Sequence, residues 1–139
     1  MMELKYSEVL KLNKELGNNL KSSSYDITVL SNIIVHQSKE ILEYSLRGED
    51  INANVKFGDY DNIVQDSKKY QDSNAVIIFW ELFNIVDGLQ FKIELLNNDQ
   101  LDEIFEKTKS EIDLVLKNLE KTSLVLINKF TSLHFCSFD

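Results

Sequence analysis

Four residues of types used in acyl transfer are spread along the chain, three of them just after predicted strands. They are a serine, a glycine, an asparagine and a histidine: Ser31, Gly58, Asn84 and His134. A serine hydroxyl can attack an ester carbonyl when a histidine takes its proton. A glycine N–H and an asparagine amide can stabilise the oxyanion that forms. These residue types, in this order, allow a serine esterase with Ser31, Asn84 and His134 as its catalytic residues.

The same four residue types resemble the set used by SGNH-type esterases, but their surroundings differ. In those enzymes the serine lies in Gly-Asp-Ser and the asparagine in Gly-x-Asn-Asp, and an aspartate precedes the histidine by three residues. Here Ser31 follows valine and leucine, Asn84 lacks both the glycine and the aspartate, and Thr131 replaces the orienting carboxylate. A histidine without that carboxylate lacks its usual stabilising partner. We therefore interpret Ser31 and Asn32 as the polar end of a strand, and His134 as unrelated to them. A serine esterase is the alternative.

A second candidate is the segment Asp59-Tyr60-Asp61-Asn62-Ile63. Phosphotransferases of the haloacid dehalogenase (HAD) superfamily use Asp-x-Asp-x-Thr after a buried strand, where the first aspartate is the nucleophile and Mg²⁺ bridges phosphate and carboxylate. Here Ile63 replaces the threonine, and the preceding residues alternate as in an edge strand. The pattern favours a solvated turn that leads into a helix.

The other acidic and metal-ligating side chains do not have the spacing of a known metal site. The four aspartates of the central region lack the spacing of a calcium loop. The two histidines and the single cysteine lack the spacing of a zinc site. We therefore expect no metal and no cofactor in this chain; the residues concerned are Asp59, Asp61, Asp66, Asp72, His36, His134 and Cys136.

Strands and helices that would position these residues alternate along the sequence. Apolar or alternating runs predict strands over 25–32, 51–57, 75–80 and 124–127. Helical spacing predicts helices over 7–20, with Ser7 as N-cap, over 63–70 and 99–122, and one that ends at Gly48. Alternating strands and helices favour parallel pairing through right-handed crossovers.

We therefore predict one α/β domain over residues 1–139. Its fold class is a three-layer α/β/α sandwich, SGNH- or flavodoxin-like, with a small, mainly parallel sheet of strand order 2-1-3-4. A sheet of four strands is small, which leaves open whether the chain is a fragment of a longer protein.

The strand order also predicts where a ligand or a partner would bind. The connections from the first and third strands leave in opposite directions, and the crevice between the carboxyl ends of these strands is the expected site. The ligand or interface residues expected at that edge are Ser31, Asn32, Gly58, Asp59 and Glu81.

Composition limits the partners and the compartment. The formal net charge is −8, and fifteen Lys and Arg are outnumbered by twenty-three Asp and Glu, so we expect no nucleic-acid binding. No apolar run reaches the eighteen or so residues of a membrane span. The N-terminus does not resemble a secretion signal and the only cysteine, Cys136, has no internal disulfide partner, which favours the cytoplasm.

Several segments together resemble the N-terminal region of FkbH-like proteins, which belong to the HAD superfamily, subfamily IIIC. The segments are Val29-Leu30-Ser31-Asn32, the helix over 39–47, the stretch over 51–60 and the strand over 75–80. The resemblance covers nearly the whole chain and contains no catalytic motif.

The resemblance implies an SGNH-like α/β module without the full hydrolase machinery. In that family the chemistry lies in a following domain with Asp-x-Asp-x-Thr and Mg²⁺. In members of known activity this domain dephosphorylates a glyceryl phosphate and passes the glyceryl group to a carrier-protein thiol, and other members belong to surface-polysaccharide pathways. It implies that this chain is non-catalytic by itself and serves a binding or domain-interface role. The implied partners are a HAD-type catalytic domain and an acyl or peptidyl carrier protein.

Overall fold

The computed structural model describes residues 3–130, which form one α/β unit. The strands are β1 (Tyr25–Ser31), β2 (Ala53–Phe57), β3 (Ala75–Phe79) and β4 (Leu124–Ile127). The helices are α1 (Tyr6–Asn19), α2 (Ser38–Arg47), α3 (Ile63–Lys69), α4 (Leu82–Ile85), α5 (Leu89–Lys92) and α6 (Asn98–Asn118), with a 3₁₀ turn over Ile93–Leu95.

The four strands form one sheet in the order β2-β1-β3-β4, and every neighbouring pair is parallel. Val29 in the central strand β1 lies opposite Phe57 on one side and Ile77 on the other. The predicted fold class and strand order are confirmed. Both predictions rest on the apolar runs of β1 and β3, which are typical of parallel strands that are buried on both faces.

Right-handed crossovers decide which helix covers which face of the sheet. The step from β1 to β2 places α2 on one face, where Leu42 and Leu46 pack against the cluster that contains Ile27 and Val55. The steps from β2 to β3 and from β3 to β4 run in the opposite direction. They place α3 and α6 on the other face, where Val115 joins the second cluster.

Within residues 3–130, one half of the sheet therefore has no covering layer on the α2 face. This surface, which we call the open face, consists of Ile77 and Phe79 from β3 and Leu124 and Leu126 from β4. Leu124 is 43% exposed and Leu126 is 50% exposed. Part of the open face lines an apolar groove of about 400 Å³ that reaches α2. Among residues 3–130, no helix packs over it.

The two edges of the sheet differ. At the β2 edge, Glu43 accepts a hydrogen bond from the Val55 N–H (3.0 Å) and Arg47 donates to the Ala53 carbonyl (2.9 Å from Nη2). Asn13 of α1 donates to Glu43 and accepts from Arg47. These side chains bond to the outward backbone groups of β2 and so block the addition of another strand.

At the β4 edge, no described residue pairs with the outer side of the strand. The Asn128 N–H points inward to the Ile78 carbonyl (3.3 Å). Since backbone groups alternate in direction along a strand, those of Val125 and Ile127 point outward. Leu-Val-Leu-Ile has neither charge nor proline, the features that usually protect an exposed edge.

Two details of the helices differ from the sequence-based expectation. Ser7 is not an N-cap: α1 begins at Tyr6, and the Glu8 carboxylate accepts a hydrogen bond from the Lys5 N–H (2.8 Å). In α6, Phe105 and Leu116 are exposed although their spacing places them on the apolar stripe. No helix in the described range has the length and apolar composition needed to cross a membrane.

Candidate functional site

The carboxyl edge of the sheet brings together the polar residues that follow β1, β2 and β3. Ser31, the last residue of β1, is 9% exposed, and its hydroxyl donates to the Ile33 carbonyl (2.8 Å). The Ser31 carbonyl accepts a hydrogen bond from the Asp61 N–H (3.0 Å). Both groups of Ser31 therefore help to turn the chain at the strand end.

Asn32 is fully buried and extends the sheet with its side chain. Its carboxamide accepts from the Glu81 N–H (2.7 Å) and donates to the Glu81 carbonyl (2.9 Å). Asn128 makes the same two bonds to Trp80, at 2.6 and 2.9 Å. Two asparagines thus hold successive residues after β3, one from each neighbouring strand.

Gly58 lies at the end of β2, where no side chain would fit. A Cβ atom there would lie 2.5 Å from an Asp66 carboxylate oxygen and 2.6 Å from a Leu30 methyl group. Asp66 is buried, and its carboxylate accepts from the Asp59 N–H (2.7 Å) and the Asn62 side chain (3.0 Å). The close approach of Asp66 fixes the loop after β2 against the central strand.

The two expected oxyanion donors are already engaged. The Gly58 N–H donates to the Val29 carbonyl (2.9 Å), and the Asn84 carboxamide donates to the Asn32 carbonyl (3.0 Å). His134 lies outside the described residues, as does Cys136. Ser31, Asn84 and Gly58 all lie at this edge, and each of them donates a hydrogen bond to a backbone carbonyl.

A polar crevice lies next to this edge, between the loops after β2 and β3 and helix α6. It has a volume of about 250 Å³ and is lined at its polar end by Asp61, Gln65, Asn84 and Glu111, with Trp80 below. Asp61 has a left-handed backbone conformation (φ 53°), which aspartate tolerates better than most residues. We name this the acidic crevice.

The sequence did not predict the acidic crevice. Glu111 reaches it from α6, and periodicity assigns that residue only to the charged side of a helix. Trp80 ends the strand predicted over 75–80 and is 4% exposed, yet it also lines the crevice. The paired role of Asn32 and Asn128 had a visible signal, because each asparagine directly follows an apolar strand.

Metal ligands do not converge in the described part of the chain: among residues 3–130 no three His, Cys, Asp or Glu side chains lie close enough to hold an ion. Two of the aspartates after β2 have different surroundings. Asp66 accepts hydrogen bonds from a backbone N–H and a side-chain amide, whereas Asp61 lines the crevice.

The chain is similar to a solved structure but matches no protein-family model. No protein-family model matches the chain, and no curated protein matches it. A solved structure is similar: the N-terminal part of the protein BF1531 from Bacteroides fragilis, which contains a phosphatase domain and was crystallised in complex with Mg. The TM-score is 0.67 at 12% sequence identity.

The match covers 98% of this chain and 36% of the Bacteroides chain. The chain therefore spans about a third of the length of the structure it matches. At this identity the likeness establishes a shared fold. That fold occurs in part of a chain that contains a phosphatase domain.

Proposed function

We propose that this chain is a non-catalytic N-terminal α/β module of an FkbH-like protein of the HAD superfamily, and that it binds the phosphatase-type domain that performs the chemistry. The observation that carries the proposal is the open face, together with the unpaired edge of β4. The similar fold in a protein that contains a phosphatase domain supports it.

The open face suits a domain interface better than a small-molecule site. Leu124 and Leu126 of the open face are each about half exposed. Completing the burial of such side chains contributes roughly 1 kcal/mol each. A contiguous apolar surface of this kind on a folded domain marks a contact with another protein surface.

The difference between the two edges of the sheet also favours docking at the β4 edge. The β2 edge is closed by Glu43 and Arg47, whereas β4 offers the outward N–H and C=O groups of Val125 and Ile127. The partner domain is therefore proposed to cover the open face and to extend onto β4.

The polar carboxyl edge supports a structural role in this proposal. Ser31, Asn32 and Gly58 are buried or engaged with backbone groups, so they shape the edge. Asp59 is exposed and Glu81 is half-buried, and we propose that these two carboxylates contact the partner.

The partner domain would supply the chemistry that the resemblance implies, through its own Asp-x-Asp-x-Thr and Mg²⁺, in the cytoplasm. A carrier protein would bind to that domain rather than to this module. The formal charge of −8 disfavours contact with an acidic carrier protein through a broad charged surface.

A titration tests the docking. We expect the purified chain to bind the HAD-type phosphatase domain encoded with it, measured by calorimetry, and Leu126→Glu to weaken binding at least tenfold because a charge would enter the apolar contact. Leu116→Glu is the matched control, since Leu116 is 45% exposed on α6. Equal binding by both variants, or the absence of any such domain in the source genome, would refute the proposal.

A further inference from the structure

The acidic crevice is not explained by docking on the open face. Trp80 belongs to the cluster that packs against α3 and α6, whereas the open face belongs to the α2 side of the sheet. The crevice volume of about 250 Å³ equals the space of roughly eight water molecules. It therefore has room for a small molecule.

Four side chains that offer hydrogen-bond acceptors line the crevice, and its two carboxylates have no cation beside them to neutralise them: Asp61, Gln65, Asn84 and Glu111. No Lys or Arg is among its lining residues, and neither Asp61 nor Glu111 forms an ion pair with any of residues 3–130. One N–H of the Asn84 amide is bonded to the Asn32 carbonyl, which leaves its second N–H as a donor and its carboxamide oxygen as an acceptor.

A buried donor borders the same space. Trp80 is 4% exposed, and its indole N–H has no hydrogen-bond partner among residues 3–130. Within that range no fully buried side-chain N or O atom lacks a partner, so the indole N–H reaches open space. The acidic crevice is the described cavity that Trp80 lines.

The combination of carboxylate acceptors with the buried Trp80 N–H and the amide donors of Gln65 and Asn84 selects the chemical class of ligand. A cation would satisfy the carboxylates of Asp61 and Glu111 but would leave the Trp80 N–H without an acceptor. A phosphate or other anion would accept from the N–H but would be repelled by two carboxylates. A hydroxyl group both donates and accepts, so it satisfies both kinds of group.

We propose that the acidic crevice is a binding site for a neutral polyhydroxylated small molecule, such as a sugar or sugar alcohol. Its hydroxyl groups donate to Asp61, Glu111 and the Asn84 carboxamide oxygen, and one hydroxyl oxygen accepts from the Trp80 N–H. This proposal does not depend on the docking proposal, because the two sites lie on different faces of the sheet.

The chain contains a single tryptophan, which makes the crevice directly observable. In a ¹H–¹⁵N spectrum of the full chain, the one indole resonance reports Trp80. The probes are D-sorbitol and D-glucose, with ethylammonium and inorganic phosphate titrated in parallel, each to concentrations that would fill a site with a millimolar Kd.

Two variants and one control define the site. Asp61→Asn removes the charge and keeps a residue that tolerates the left-handed conformation. Glu111→Gln removes the second charge, and Glu103→Gln makes the same change at an exposed position of α6. We expect a saturable indole shift with a polyol, weakened about tenfold in the first two variants, because hydrogen bonds to charged groups are strong, and unchanged in the control.

Three results would overturn the proposal. The first is an indole resonance that no polyol moves. The second is a polyol shift of equal affinity in Asp61→Asn, Glu111→Gln and the wild type. The third is a saturable shift with ethylammonium or phosphate alone, which would make the crevice an ion site.

Discussion

Asn32 and Asn128 make the same pair of hydrogen bonds to two successive backbone segments. Each lies one residue after a strand, and each uses both ends of its carboxamide on the residue opposite, Glu81 or Trp80. The side chains continue the sheet for one step after the strands have ended. A polar residue at a strand end can therefore be structural even where fold analogy places a ligand.

Gly58 is the residue whose side-chain size matters most at this edge. Gly58→Ala is expected to destabilise the fold by about 1–3 kcal/mol, because the new Cβ would press on Asp66 and Leu30 in a packed site. Urea unfolding measures the change. Gly48→Ala is the control, since its Cβ would meet the nearest atoms at an ordinary 3.5 Å. A loss as large in the control as in Gly58→Ala would show that the close approach is not the cause.

Ser31 is expected to be unreactive. Its hydroxyl donates to the Ile33 carbonyl, the Gly58 N–H donates to the Val29 carbonyl, and one Asn84 N–H donates to the Asn32 carbonyl, so these groups are held by the backbone and not directed at an oxyanion. A fluorophosphonate probe followed by mass spectrometry should label the wild type no more than Ser31→Ala. Labelling of the wild type that Ser31→Ala abolishes would establish the esterase alternative instead.

Asp26 provides a pH-dependent test at the opposite end of β1. A hydrogen bond from the Asn54 amide, then one from the Ser24 hydroxyl, lowers the pKa of the Asp26 carboxyl. Because the folded pKa is depressed, this small stabilisation is present above the unfolded pKa and is lost as pH falls through the folded pKa.

A carboxyl-carbon NMR titration should show that Asn54→Ala raises the pKa of Asp26 toward its ordinary value. Asn52→Ala is the control, because the Asn52 amide donates to a backbone carbonyl, that of Ser22. An unchanged Asp26 pKa in Asn54→Ala would contradict the assignment of its cause.

At the scale of elements, the β2 edge depends on a buried ion pair. Glu43 is 4% exposed, and Arg47 is both its cation and a donor to β2. Arg47→Met should destabilise the fold by roughly 3 kcal/mol, because it leaves a buried carboxylate without its partner. Thermal or urea unfolding would measure this.

The exposed pair Lys109–Asp113 provides the comparison for that substitution. Both of its side chains are more than half exposed, so Lys109→Met should change stability by less than about 0.5 kcal/mol. Equal effects of Arg47→Met and Lys109→Met would mean that the β2 edge does not depend on the pair.

The elements were largely predictable from the sequence, for identifiable reasons. The four strands and their order follow from apolar runs separated by amphipathic helices, and β4 was placed at the residues observed. The start of α1 was predicted from Ser7, but the helix begins one residue earlier because Glu8 holds the Lys5 N–H. Alternative starts of a helix, one residue apart, differ little in free energy.

The candidate site was less predictable, because it depends on contacts between residues far apart in the chain. The parallel strand order predicts that Ser31, Asn32 and Glu81 lie close together. It does not predict which groups they bond to. Glu111 reaches the acidic crevice only because α6 crosses the sheet beside Asp61. The roles predicted for Ser31, Asn32, Gly58, Asp59 and Glu81 as ligand or interface residues stay predictions.

At the scale of the whole molecule, the sheet formed by residues 3–130 has one closed edge, one edge unpaired by those residues and one half-covered face. Strand order and handedness explain the half-covered face, since the connections to β3 and β4 both place their helices on the opposite side. The apolar composition of β4 then leaves the open face beside an unprotected edge. A domain built in this way suits attachment to another domain.

A hydrogen-exchange footprint of the chain with and without the proposed phosphatase-type partner domain tests the docking most directly. We expect the partner to slow exchange at the outward-pointing amides of Val125 and Ile127, while the Val55 amide, already bonded to Glu43, keeps its protection unchanged. Slower exchange confined to other surfaces, with β4 unaffected, would contradict the claim that this module binds its partner through the open face and β4.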